Sequence, residues 1–152
     1  IKQTLEINQI EISSYDRPVD TSCGLERPDF VIELPEFIII VESDENQHKS
    51  YPQECEQTRM FNITQSYGGT PILWIRFNPD NYIDITGRFY HGQENAERKK
   101  RHSRLVKIIK EAMTKTVEDI FDGELAKVYY LYYDNFNSRK SFMRCLVNLN
   151  VK

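Results

Sequence analysis

Three carboxylates, Asp29, Glu42 and Asp44, stand at the ends of two short β-rich runs, and their spacing suits a divalent cation. The runs are Phe30-Val31-Ile32-Glu33-Leu34 and Phe37-Ile38-Ile39-Ile40-Val41-Glu42, separated by Pro35-Glu36. Two β-forming runs joined by two turn-tolerant residues predict a hairpin. With Pro35 and Glu36 as the loop, Leu34 faces Phe37 and Asp29 lies directly opposite Glu42. Opposed residues share a face, with Cβ atoms roughly 4.5–5.5 Å apart, and like charges so placed destabilise a sheet. A compensating cation is therefore expected. Asp44, two residues past Glu42, points the same way if the strand continues. Oxygen donors in an incomplete cage suit Mg²⁺ or Mn²⁺, which keep waters and accept phosphate oxygens. A turn shifted by one residue would instead carry Asp29 to the opposite face, and acids at strand ends also occur without a metal.

These acids need elements to hold them. The second run is continuously apolar, as in a strand covered on both faces. A helix is expected over about Gln53–Tyr67, with Met60, Ile63, Thr64 and Tyr67 on one face and Gly68-Gly69 as its stop. Ile72–Phe77 reads as a third strand. Strand, helix and strand make a βαβ unit, so the second and third strands should be parallel. A second helix fits about Ala96–Lys115, with Leu105, Ile108, Ile109, Ala112 and Met113 as its apolar stripe. A last, Tyr-rich strand fits Lys127–Tyr133. Leu5, Ile7, Ile10 and Ile12 alternate weakly and suggest an early strand, 16–24 reads as a loop, and 79–94 as an irregular excursion. The class is α/β.

The length, 152 residues, suits one domain spanning 1–152. The sequence begins with Ile, which suggests a piece of a longer chain. No basic-then-apolar leader is visible, and the longest apolar run is too short to span a bilayer, so no membrane association is expected. Three widely spaced cysteines, Cys23, Cys55 and Cys145, argue against a disulfide framework and for a reducing compartment, nucleus or cytoplasm. Three unrelated, partly buried thiols are the simple reading; a zinc site joining Cys23, Cys55 and a histidine through space is the other. Net charge is −3, divided as −8 over residues 1–60 and +5 over residues 61–152. An acidic cluster beside a basic half matches what a metal-dependent enzyme acting on a polyanion needs, although chance alone also produces such asymmetry.

Arg27-Pro28-Asp29-Phe30, the apolar strand, and Glu42-Ser43-Asp44-Glu45-Asn46-Gln47-His48 together resemble the PD-(D/E)XK nuclease pattern. The resemblance is to the branch that includes very-short-patch-repair endonucleases, where Arg-Pro-Asp-Phe precedes Glu-x-Asp-x-x-x-His. It extends to Arg59 and to Leu73-Trp74-Ile75-Arg76-Phe77-Asn78, covering about residues 26–80. It implies a restriction-endonuclease-like αβββαβ core, a mixed central sheet flanked by helices. It further implies a metal-dependent DNA endonuclease holding Mg²⁺ (or Mn²⁺) with Asp29 and Glu42, and leaving 5′-phosphate and 3′-hydroxyl ends. Asp44 stands where relatives usually carry a lysine that positions water and stabilises developing charge. It could be a further metal ligand, with His48 or Lys49 supplying the missing function. The departure also permits an inactive nucleic-acid-binding or protein-interaction module that keeps the fold.

Each remaining candidate has two readings. His48 is a general base or acid, or an exposed loop histidine. Gln47 orients water or a metal-bound oxygen, and Glu45 faces solvent. Arg59 and Arg76 are candidate phosphate contacts, with pairing to Glu56 within the helix as the alternative for Arg59. Arg98, Lys99, Lys100 and Arg101 open a basic helix that is either a footprint for DNA, with RNA next in line, or a solvated face. Tyr129-Tyr130-Leu131-Tyr132-Tyr133 is either core or an exposed edge for a protein partner. Glu6 and Glu11 are the only early glutamates, and their segment does not read as a helix, so a further catalytic acid lies upstream or is missing.

Overall fold

The alternation of apolar residues in four strands builds two cores, one on each side of a mixed sheet. The computed structural model describes residues 1–21 and 24–149. The sheet order is β1–β4–β5–β6–β9–β10, with β1 at Ser14–Tyr15, β4 at Phe30–Glu33 and β5 at Ile38–Ser43. β6 spans Ile72–Phe77, β9 Ala126–Leu131 and β10 Val147–Asn148. The helices are α1 (Lys2–Ile7), α2 (Gln53–Ser66), α3 (Asn95–Met113) and α4 (Val117–Phe121). Two small hairpins complete the chain: β2 (Val19–Thr21) with β3 (Gly24–Glu26), and β7 (Tyr82–Ile83) with β8 (Phe89–Tyr90). Among the described residues, no helix is long and apolar enough to cross a membrane.

The central hairpin has the expected register: Phe30 faces Val41 and Glu33 faces Ile38, with the Leu34 amide donating to the Phe37 carbonyl. β5 and β6 are parallel, as are β6 and β9. α2 is the crossover, and Met60, Ile63 and Thr64 form its buried face. Val31, Ile38, Ile40, Ile72, Trp74 and Val128 face α2. Their neighbours Phe30, Ile32, Ile39, Val41, Leu73 and Ile75 face the other way, against Leu105, Ile108 and Ile109 of α3.

Several expectations are corrected. Residues 2–7 form a helix rather than a strand; Leu5 is its one buried residue, Ile7 is exposed, and Ile10 reaches the core from beyond the helix end. Glu6 therefore does sit on a helix, but exposed, and not among the acids gathered at the hairpin. In the expected loop at 16–24, Val19–Thr21 pairs antiparallel with Gly24–Glu26, residues 22–23 lying outside the described residues, and the irregular excursion at 79–94 contains the β7–β8 hairpin. Met113 is exposed at the end of the α3 stripe. Among the described residues, β10 pairs with β9 only at Lys127 and Val128, short of the tyrosine run that begins at Tyr129. Cys55 is exposed and Cys145 half-buried, both free, and Cys23 lies outside the described residues.

Arg101 is the largest departure. It was expected on a basic outer face, yet it is 1% exposed. Its guanidinium donates to the Asn78 carbonyl (3.3 Å), the Asp80 carbonyl (2.6 Å) and Glu97 (3.1 Å), and lies over the rings of Tyr82 and Tyr132. It thereby fastens α3 to the turn after β6. Gly92 helps: a Cβ there would collide with the backbone of Pro79 and Asp80. Removing a buried, hydrogen-bonded cation strands its partners. Arg101→Ala should therefore cost about 3 kcal/mol of unfolding free energy in a denaturant titration, whereas Lys99→Ala and Lys100→Ala should each stay within about 0.5 kcal/mol of the parent. Equal, small effects in all three would disprove the structural role.

Candidate functional site

Strand pairing sets a row of side chains across the C-terminal end of the sheet. The β4–β5 register, carried one step on, puts Asp29 opposite Glu42; the parallel registers put Glu42 beside Arg76 and Arg76 beside Tyr130. All project toward α2, because Glu42 alternates with Ile38 and Ile40. α2 contributes Glu56 and Arg59 from successive turns of the same side.

Asp29 and Glu42 form the first half of the site. One Asp29 oxygen accepts the Ser43 amide hydrogen at 2.7 Å. Glu42 is 3% exposed. Its Oε2 lies 3.2 Å from Arg59, whereas its buried Oε1 has no partner among the described residues. Arg59 also reaches Glu26 (3.3 Å) and donates to the Arg27 carbonyl (2.7 Å). It does not pair with Glu56. Burial raises the Asp29 carboxyl above its ordinary value, against the pull of the Ser43 amide and Arg59. Burial likewise pushes Glu42 up to about 7; Arg59 opposes this and the Asp29 charge adds to it. The two carboxylates thus lack enough positive charge to be comfortably ionised together.

Asp44, His48 and Glu56 form the second half. Arg76, 2% exposed, grips Asp44 with both ends of its fork, at 2.5 and 2.8 Å, and also pairs with Glu56. The Tyr133 hydroxyl donates to Asp44. His48 places Nε2 3.3 Å from Asp44 and Nδ1 3.3 Å from Glu56. Burial alone would raise Glu56, but bonds from Arg76 and His48 outweigh it and hold the carboxyl below its usual range. Burial and the Asp44 carboxylate push the Tyr133 phenol up. One donor atom from each of Asp44, His48 and Glu56 lies within 4.8 Å of the others, a set that could hold a metal ion. The expected trio Asp29, Glu42 and Asp44 is thus divided between two neighbouring clusters, and Asp44 is already saturated by Arg76 and Tyr133.

The other candidates are spread more widely. Gln47 fastens a loop: its amide donates to the Asn81 carbonyl and its oxygen accepts the Asp134 amide hydrogen. Lys49 pairs with Asp134 at 2.7 Å. Arg98, Lys99 and Lys100 are exposed on α3, which packs on the far side of the sheet from Asp29 and Glu42. Glu26 was not singled out in the sequence, Glu56 only as a helical partner for Arg59, and Tyr133 only as part of the tyrosine run. Glu56 had a usable signal, since it lies three residues before Arg59 on a helix and shares its face. Tyr133 had none, being one of four tyrosines in a five-residue run. Comparison with protein-family models, curated proteins and solved structures gives no match.

The Glu42 shift has a sign that can be checked. A carboxyl whose folded pKa is raised favours the neutral form, so its contribution is complete below the unfolded value near 4.5 and is lost as pH rises through about 7. Glu42→Gln removes this dependence. The unfolding free energy of the parent relative to Glu42→Gln should therefore fall by roughly 3 kcal/mol between pH 4.5 and 7.5, at about 1.4 kcal/mol per unit. A flat difference across that range would contradict the buried, under-compensated carboxylate.

Proposed function

We propose that this chain is a divalent-metal-dependent nuclease that hydrolyses phosphodiester bonds, with DNA as its substrate ahead of RNA. The observation that carries the reading is the opposed Asp29–Glu42 pair, in which Glu42 keeps a buried oxygen without a partner. Orphaned buried acceptors and repelling carboxylates both gain from a cation. Oxygen-only donors, one half-buried (Asp29) and one buried (Glu42), favour Mg²⁺ or Mn²⁺, which complete their coordination with waters and phosphate oxygens. The succession α1, β1, β4, β5, α2, β6 supports the αβββαβ core implied by the sequence resemblance, with β2–β3 as an insertion.

When bound, Mg²⁺ polarises a phosphate oxygen and acidifies a water for attack. The chain's own residues do the rest. Asp29 and Glu42 hold the charge at the hairpin end. Arg59, half-buried and already turned toward Glu42, stands beside the position where phosphate charge develops, and so takes the part that a lysine at position 44 would have played. His48, between two carboxylates and partly exposed, can accept a proton at one ring nitrogen while the other stays bonded to its acid. Asp44 positions Arg76 and His48 rather than reaching outward.

The saturation of Asp44 also favours a second reading, a nucleic-acid-binding or protein-interaction module that retains the fold without cleavage. Plasmid nicking with Mg²⁺, Mn²⁺ or EDTA, together with Mn²⁺ titration calorimetry, separates the two. The nuclease reading expects metal-dependent nicking. It also expects Asp29→Asn and Glu42→Gln to lose at least about 100-fold in rate, the upper end of what loss of a supporting residue costs, with the heat of Mn²⁺ binding lost as well. Folded parent protein that neither nicks DNA nor takes up Mn²⁺ leaves the module as the account.

A further inference from the structure

Each nitrogen of the Arg59 guanidinium has its own partner beside the opposed acids. Nη1 lies 3.2 Å from Oε2 of Glu42, Nε lies 3.3 Å from Oε2 of Glu26, and Nη2 donates to the Arg27 carbonyl at 2.7 Å. One fork thus ties α2 to β5 and to the segment that leaves β3 and enters β4. A guanidinium holds its donors in fixed directions, so three anchors set its place as well as its charge. Two of the three, Glu26 and the Arg27 carbonyl, lie outside the Asp29–Glu42 pair.

This arrangement contains a conflict. Glu42 is buried, its Oε1 has no partner among the described residues, and its Oε2 is shared with Arg59. A divalent ion on Glu42 therefore comes to rest beside a positive side chain. Away from bulk water that repulsion is weakly screened. Arg59 and the ion compete for one carboxylate. Held by Glu42 alone, the guanidinium would follow that acid and oppose the ion. Glu26 relieves the conflict by supplying a second negative charge to the same guanidinium from a different strand. Together with the Arg27 carbonyl it keeps the side chain in place when the contact with Glu42 is given up.

We propose, resting on the nuclease reading, that Glu26 is a positioning residue for the metal site, holding Arg59 aside when a divalent ion takes Glu42. Arg59 then plays two parts in succession. Before the ion binds, it offsets the charge of Glu42. Afterwards it stands beside the ion, anchored by Glu26, as the cation that meets the phosphate. A Glu26 that ligated the ion directly would act whether or not Arg59 were present, and that difference can be measured.

The test is a double-mutant cycle on Mn²⁺ affinity, by titration calorimetry of the full chain without nucleic acid, with thermal melts to show that each variant is folded. Glu26→Gln should weaken Mn²⁺ binding about tenfold, the lower end of what loss of a supporting partner costs. Arg59→Gln should tighten Mn²⁺ binding and yet slow Mn²⁺-dependent plasmid nicking, opposite signs that simple damage to the fold does not produce. In the Arg59→Gln background, Glu26→Gln should change the affinity by less than about twofold, because its effect runs through the missing guanidinium. Equal losses in both backgrounds would make Glu26 a ligand and overturn the proposal. So would an Arg59→Gln protein whose Mn²⁺ affinity is unchanged or weaker. Either result leaves the nuclease reading standing, provided that the parent binds Mn²⁺ and nicks DNA. A parent that takes up no Mn²⁺ overturns both.

Discussion

The buried guanidinium of Arg76 organises the end of the sheet. A cation at 2% exposure survives only with partners that return what water would have given it. Asp44 supplies a two-point grip, and Glu56 brings in α2. Tyr133 and His48 close around the same carboxylates, so β6, the loop after β5, α2 and the segment after β9 are fixed relative to one another. Asp44 is thereby committed. Next to it remain Asp29, Glu42 and Glu26, with Arg59 as the cation among them. The charge imbalance concentrates where the hairpin opens, and burial of Glu42 sharpens it.

Sheet alternation then divides the labour. Asp29, Glu42 and Arg76 face α2, whereas α3 covers the opposite core. A polyanion seated on the α2 side would not lie along the basic stripe of α3. Arg101 itself, in the second turn of α3, is spent on the carbonyls after β6. The basic half of the sequence is therefore partly structural: its most buried member is a fastener, and electrostatic arguments from composition overstate what is available to a ligand.

The sequence was most legible where a period and a turn acted together. Pro35-Glu36 between two apolar runs set the register, which in turn placed Asp29 against Glu42. Ile72–Phe77 was legible to the residue because its β-forming run begins after Pro71 and is ended by Asn78-Pro79-Asp80. It failed where one tertiary contact outweighed local pattern. Leu5 is the one buried residue of α1, so no helical stripe was visible. Arg101 looked like its neighbours until Tyr82 and Tyr132 were brought over it. Asp44 read as an open ligand because its partners, Arg76 and Tyr133, are 32 and 89 residues away. Spacing along a strand tells which way a carboxylate points, but not which cation has already taken it.

The loop after Asp44 shows what holding His48 in place costs. Asn46, Gln47 and His48 all have positive φ, at 53°, 58° and 50°. Left-handed backbone costs an ordinary residue about 1–2 kcal/mol, and three in succession are sustained only where surrounding bonds over-determine them. Those bonds are visible: Asn46 to Asp80, Gln47 to Asn81 and Asp134, Lys49 to Asp134. With more extended backbone the chain would carry the imidazole away from Asp44 and Glu56. The strain and its compensation therefore make one device, in which the β7–β8 base and the residue after Tyr133 hold a titratable ring between two acids. The same bonds also support the base of β7–β8, so the hairpin and the His48 loop are held by one shared set of contacts.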